Sequence, residues 1–154
     1  MSGVRFVFPK PRLATLLKMP GGLPVVEALE RAQANLETIK PACREDLLAL
    51  LDTAETAFAA LRDDFDEAGM ATLYAIAVRG IGTGALCGAP GVDKALTSLC
   101  DLLDFLLTGN RHDREAIGVH VQAWRLLMTV DLPQAGADSI LAGLRKVTAK
   151  YARV

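Results

Sequence analysis

The chain has 154 residues, of which 51% are hydrophobic and 23% are charged, a composition typical of one globular domain. Its 17 basic and 18 acidic side chains give a net charge of -1, which argues against nucleic acid as a partner because binding a phosphate backbone needs a basic surface. No apolar run approaches the roughly 20 residues of a membrane span, and residues 1–12 lack the hydrophobic core of a secretory signal, so we expect a cytoplasmic protein without membrane contact.

Prolines and glycines interrupt the first part of the sequence, from Pro9 to Pro24. Residues 1–10 are therefore predicted to be an extended arm, and residues 11–19 at most a short helix. We assign residues 1–22 to this arm and residues 23–154 to a single helical-bundle domain. The arm carries two of the five phenylalanines, which either pack on the parent bundle or dock on a partner.

Helical periodicity dominates the rest of the chain. Apolar residues recur every three or four positions from residue 25 to residue 61, which predicts one helix kinked at Pro41 or two nearly coaxial helices. Asp63 and Asp64 are predicted to cap the next helix, and Asp113 to cap a later one. Further amphipathic segments cover residues 92–106 and about 136–152. The sequence therefore predicts an all-α protein, an up-and-down antiparallel helical bundle with terminal additions.

The segment YAIAVRGIGTGALCGAPG, residues 74–91, contains five glycines. Glycines at this spacing suit a dinucleotide-binding loop, but that fold needs a parallel sheet, and the following sequence has helical periodicity. A helix with small residues at Ala77, Gly80, Gly84 and Gly88 is favoured instead. It would expose a groove of bare backbone, used for internal packing or for a docked partner.

This segment resembles histidine-containing phosphotransfer domains, four-helix bundles whose second helix carries the motif His-x-Leu-Lys-Gly. Residues 76–80 read Ile-Ala-Val-Arg-Gly, and residues 96–104 resemble the third helix of that family. Ile76 stands where the phosphorylated histidine belongs, and a hydrocarbon side chain has no nucleophilic nitrogen. The resemblance implies a four-helix core with extra terminal helices, in a pseudo-phosphotransfer adaptor that does not carry phosphate.

The resemblance also implies a binding surface and a partner. In the family the basic residue and the following glycine meet the acidic pocket of a receiver domain, so Arg79, Gly80, Gly84 and Ile76 are the expected partner-binding residues. A response-regulator receiver domain or a histidine kinase is the expected partner. The segment from Leu13 to Ile39 is also similar to CheE-type chemotaxis accessory proteins of alphaproteobacteria.

Other chemistry has little support in the sequence. His112 and His120 are eight residues apart, which does not suit an i, i+4 metal pair, and the three cysteines are odd in number and widely spaced. No serine or threonine has the setting of an activated nucleophile. We expect no catalytic residue, metal or cofactor. His120 is expected to be an ordinary, partly exposed histidine. Two alternatives remain for the function. In the first, His120 is the phosphoacceptor of a true phosphotransfer protein, and in the second the protein is a structural or self-associating bundle.

Overall fold

The computed structural model describes residues 21–152, in which six helices and no strand are found. The helices are α1 (Val25–Ala59), α2 (Glu67–Gly80), α3 (Thr83–Leu86), α4 (Pro90–Thr108), α5 (Arg114–Thr129) and α6 (Gln134–Ala149). The prediction of an all-α helical bundle is confirmed. The predicted arm and short helix of residues 1–19 lie outside the described residues, so the domain boundary between residues 22 and 23 stays a prediction.

Capping side chains explain where α2 and α5 begin. Asp113 accepts a hydrogen bond from the backbone NH of Ala116 at 2.8 Å, as the sequence predicts. The predicted caps of α2, Asp63 and Asp64, are wrong by two residues or more: Asp66 caps the helix and accepts from the NH of Gly69 at 3.1 Å. These carboxylates satisfy NH groups that the first helical turn leaves without a partner.

The chain divides into two compact units between Glu37 and Thr38. Helix α1 continues through this division and contains Pro41. In the first unit, two i, i+4 side-chain pairs support the described turns of α1. Arg31 Nη2 lies 2.6 Å from Glu27 Oε1, and Gln33 Nε2 donates to Glu37 Oε1 at 2.9 Å.

The second unit is built around α4, which contacts α2, α3, α5 and α6. Nine of its side chains are buried: Val92, Ala95, Leu96, Ser98, Leu99, Cys100, Leu102, Leu103 and Leu106. Leu47, Leu51 and Ala54 of α1 join the same core as Trp124 of α5. Each large apolar side chain buried here stabilises the fold by about 1.5–3 kcal/mol.

Arginines of α5 hold it to the second-unit part of α1. Arg125 forms hydrogen-bonded ion pairs with Glu55 and with Asp52. Hydrogen bonding to Arg125 lowers the pKa of Glu55 below its usual range. Arg114 donates to the backbone oxygens of Leu61 and Ala59. These contacts fix the register of the two helices beside the apolar core.

Across residues 21–152, none of the helices combines the length and the apolar character that a bilayer span requires.

Candidate functional site

The glycine-rich segment forms a turn between two helices, so the predicted continuous glycine-bearing helix is wrong. Helix α2 ends at Gly80, and Gly82 has a left-handed backbone with φ of +92° before the short α3. Gly88 is left-handed again, with φ of +80°, just before α4. Only glycine adopts these conformations without strain. Two of the five glycines are therefore explained by chain reversal.

The carboxylate of Asp93 closes this turn. Its Oδ1 accepts from the NH groups of Gly82 at 2.9 Å and Gly84 at 3.0 Å, and its Oδ2 accepts from Ala85 at 2.8 Å. A Cβ at Gly84 would lie 2.8 Å from Asp93 Oδ1 and 2.8 Å from the backbone oxygen of Ala89. The loop therefore cradles an anion, but the anion is a side chain of the same protein.

Gly80 and Ile76 face the interior, which corrects the expectation of exposed bare backbone. A Cβ at Gly80 would lie 2.8 Å from Leu96 Cδ1 and 3.2 Å from Leu50 Cδ2. Ile76 is only 7% exposed and belongs to the core. Gly84 is also buried. The close approach that glycine permits here is an approach between helices of this chain.

The opposite face of α2 is open and apolar. Tyr74, Val78 and Ile81 follow one another at spacings of four and three residues and are 39%, 44% and 42% exposed. Arg79, which follows Val78 in the sequence, is also exposed. Within the described residues its guanidinium has neither an ion pair nor a hydrogen-bond partner. Exposed apolar side chains and arginines without a partner in the same chain are both typical of binding surfaces.

Arg79 and Gly80 also line a groove of about 580 Å³ between α1 and the ends of α2 and α3, called the Arg79 groove below. The other lining residues are Cys43, Asp46, Leu47, Ala49, Leu50, Thr53, Thr83 and Leu86. The structure thus brings two of the four expected partner-binding residues to one groove. Gly84 and Ile76 are not part of its lining.

His120 is fully buried, so the expectation of a partly exposed histidine is wrong. Its Nδ1 lies 2.9 Å from the backbone oxygen of Ala116, and its Nε2 lies 3.1 Å from both Ser98 Oγ and Thr148 Oγ1. Because Ala116 offers only an oxygen, Nδ1 carries the proton and Nε2 accepts. The Ser98 and Thr148 hydroxyls are also 2.9 Å apart. The two hydroxyls have only two protons to donate, so at any moment two of the three contacts among Ser98, His120 Nε2 and Thr148 are hydrogen bonds.

This cluster, Ser98, His120 and Thr148, ties α4, α5 and α6 together. Burial lowers the pKa of His120, and the hydrogen bond to Ala116 opposes that effect only in part. A neutral imidazole enclosed on all sides has no path to an external phosphoryl group. The structure therefore argues against His120 as a phosphoacceptor.

The remaining side chains that could bind a metal or act as a nucleophile do not form a cluster within residues 21–152. Among residues 21–152 no group of three or more His, Cys, Asp or Glu side chains is arranged to hold a metal ion. All three cysteines are free thiols, and burial raises the pKa of Cys100 to about 11. A thiol with that pKa stays protonated at neutral pH and is a poor nucleophile.

Sequence reasoning missed Asp93 as the group that closes the turn, and missed the stripe formed by Tyr74, Val78 and Ile81. Both had a signal. Asp93 lies in the first turn of a helix directly after a glycine-rich segment, where a carboxylate reaches free NH groups. The stripe has helical spacing on the side of α2 opposite to Leu73 and Ile76.

Comparisons with protein families, with characterised proteins and with solved structures found no match to this chain.

Proposed function

We propose that this chain is a non-catalytic adaptor in bacterial two-component or chemotaxis signalling, which binds a receiver domain or a histidine kinase in the cytoplasm. One observation carries the proposal: unpaired Arg79 lies at the Arg79 groove, which the exposed apolar side chain of Leu86 also lines. The receiver domain is the preferred partner because its phosphoacceptor pocket is acidic and complements an exposed cation.

The chemistry of this surface supports binding of an acidic protein. The guanidinium of Arg79 has all its donors available for a partner, and charge-assisted hydrogen bonds to carboxylates are about twice as strong as neutral ones. Leu86, which lines the same groove, is 43% exposed and provides apolar area there, and apolar side chains around an arginine suit an interface centre.

The interior supports the absence of phosphotransfer. Ile76, at the position of the phosphoacceptor in the resembling family, offers only hydrocarbon and is buried. His120 is enclosed by its own hydrogen-bond partners. Neither of these positions presents a nitrogen nucleophile on the surface.

Asp46 gives the proposal a second, opposite test. It lines the same groove as Arg79 and is exposed, so it repels an acidic partner that Arg79 attracts. Replacing Asp46 by Asn should therefore strengthen binding, while Arg79→Glu should weaken it. Opposite responses from two neighbouring charges identify the sign of the partner's charge.

The experiment measures dissociation constants for a panel of purified receiver domains and kinase dimerisation domains by calorimetry. For the domains that bind, Arg79→Glu should weaken binding by about tenfold or more, equivalent to about 1.4 kcal/mol. Arg145→Glu is the matched control, because Arg145 is an exposed arginine of α6 that lies outside the Arg79 groove. Equal losses in both variants, or no binding by any domain, would contradict the proposal.

A further inference from the structure

Two members of the cluster Ser98, His120 and Thr148 line a second groove. This groove has a volume of about 500 Å³, lies between α4 and α6, and is called the Ser98 groove below. Ser98 and Thr148 keep 9% and 8% of their surface exposed, whereas His120 is fully buried and is not part of the lining. The lining residues are Asp93, Lys94, Thr97, Ser98, Asp101, Arg145, Thr148, Ala149 and Ala152.

Ser98 and His120 have the geometry of an activated nucleophile. A hydroxyl becomes nucleophilic when a neighbouring base accepts its proton and a third group holds that base in place. Ser98 Oγ lies 3.1 Å from His120 Nε2, and His120 Nδ1 donates to the backbone oxygen of Ala116 at 2.9 Å. The contact with Ala116 fixes the tautomer in which Nε2 is the acceptor, so the Ser98 proton can move to this atom. The two residues are 22 apart in sequence, so no short motif indicates the pair.

The charges that line the groove indicate the class of compound that fits. Lys94 and Arg145 provide two cations, and Asp93 and Asp101 provide two carboxylates. Equal numbers of opposite charges give no net attraction for an ionic compound. The groove therefore suits a small neutral electrophile, and a serine oxygen typically attacks the acyl carbon of an ester or thioester.

We propose that Ser98 is a modification site, which takes up the acyl group of a small activated ester or thioester. Ser98 Oγ forms a bond to the carbonyl carbon while its proton moves to His120 Nε2. The bond from that carbon to the leaving oxygen or sulfur then breaks, the electron pair leaves with this atom, and the proton passes to it from Nε2. The products are an ester on Ser98, a free alcohol or thiol, and a neutral imidazole.

The position of Ser98 within α4 makes this reaction a modification rather than a catalytic cycle. In the interior of a helix the backbone NH groups bond to carbonyls of the same helix, so α4 provides no free NH pair to stabilise a tetrahedral intermediate. Acylation therefore needs an activated donor, and the ester persists on Ser98, which is compatible with a non-catalytic adaptor. The Ser98 groove shares no lining residue with the Arg79 groove, so each proposal can be tested without the other.

Reaction of the full chain with para-nitrophenyl acetate tests the proposal, and peptide mapping by mass spectrometry locates the acetyl groups. Ser98 should be acetylated although it is nearly buried. Ser139 is the internal control, because it is an exposed serine of α6 whose hydroxyl donates to the backbone oxygen of Ala135 instead of an imidazole. Exposure alone would favour Ser139, so a preference for Ser98 identifies the effect of His120.

His120→Gln removes the base and keeps a polar side chain. It should slow acetylation of Ser98 by about 100-fold or more, the usual contribution of a general base, and leave acetylation of surface lysines unchanged. Circular dichroism verifies that the variant is folded. Unfolding the wild type in urea separates Ser98 from His120 and should abolish the preference for Ser98, a test that does not depend on the variant.

Four results would overturn the proposal. In the folded wild type, these are an unmodified Ser98 or equal acetylation of Ser98 and Ser139. The others are a wild-type rate in a folded His120→Gln chain and a preference for Ser98 that survives in urea.

Discussion

The two sides of the end of α2 differ in what they contact. On the inner side, Ile76 and Gly80 pack against side chains of α1 and α4, and a Cβ at Gly80 would meet Leu96 at 2.8 Å. On the outer side, Val78 and Arg79 face solvent. Neighbouring residues of one five-residue motif thus have separate physical roles, one in the fold and one at the surface.

The two sides of α2 should therefore affect two different measurable quantities, the free energy of unfolding and the affinity for a partner. Substitutions on the inner side should change the free energy of unfolding, since they disturb a close-packed interior. Substitutions on the outer side should change affinity for a partner and leave stability nearly unchanged.

Gly80→Gln should have the largest effect and lower the free energy of unfolding by about 2 kcal/mol, because the new side chain overpacks the space among Leu96, Leu50 and Leu47. Gly143→Gln is the matched control. Gly143 lies inside α6 with nothing within 4 Å of an added Cβ, so the change should stabilise the helix by up to about 1 kcal/mol. Urea denaturation measures the free energy of unfolding of both variants. A Gly80→Gln chain as stable as the wild type would remove the distinction between the two sides.

Asp93→Ala extends the test to the turn after α2. It should lower the free energy of unfolding by about 1–2 kcal/mol, because three backbone NH groups lose their acceptor. The loss is limited because two of these hydrogen bonds are exposed, and water partly replaces them. Asp104→Ala removes an exposed carboxylate from the same helix and should change stability by less than about 0.5 kcal/mol. Similar losses from both variants would show that Asp93 does not close the turn.

His120 provides a pH test of the interior. Burial lowers its pKa in the folded protein, so the unfolded chain binds the proton more readily, and stability falls as pH drops below the unfolded value of about 6.5. The loss should be visible between pH 7.5 and 5.5, a range over which most carboxylates remain ionised. Urea denaturation at the two pH values should show the loss in the wild type and a smaller loss in His120→Gln. Equal pH dependence in both proteins would contradict a neutral, buried imidazole.

Arg79→Glu should have the smallest effect on stability, within about 0.5 kcal/mol of the wild type, because its side chain has no partner among residues 21–152. Arg125→Glu offers the contrast. Arg125 pairs with Glu55 and Asp52 across two helices, and reversing its charge should destabilise the fold clearly. Thermal unfolding of the two variants checks this difference. A large destabilisation by Arg79→Glu would place Arg79 among the structural residues.

The helical periodicity predicted the fold class because each long segment has one apolar face, which must be buried against its neighbours. It also predicted the start of α1 near residue 25 and the Asp113 cap. It did not predict the break after Gly80. Glycine at three- and four-residue spacing fits a helix and a turn equally. The turn is favoured here by Asp93, whose carboxylate accepts hydrogen bonds from its backbone NH groups.

Burial was harder to predict for polar residues than for apolar ones. His120 lies between two valines, which suits either a surface or a core position, and its burial depends on hydroxyls 22 and 28 residues away in sequence. The exposed position of Arg79 was easier to predict, since an arginine without a fixed partner stays in water. The burial of His120 was therefore unexpected because it rests on contacts between distant segments.

A charge-swap experiment tests whether Arg79 contacts the acidic pocket of a receiver domain. A receiver domain that binds the wild-type chain is paired with Arg79→Glu, and an acidic residue of its phosphoacceptor pocket is changed to Lys in turn. Each single change should weaken binding by about tenfold or more, and the two together should restore much of the loss, because the attractive pair is re-formed with opposite signs. Losses that simply add in the double variant would contradict contact between Arg79 and the acidic pocket.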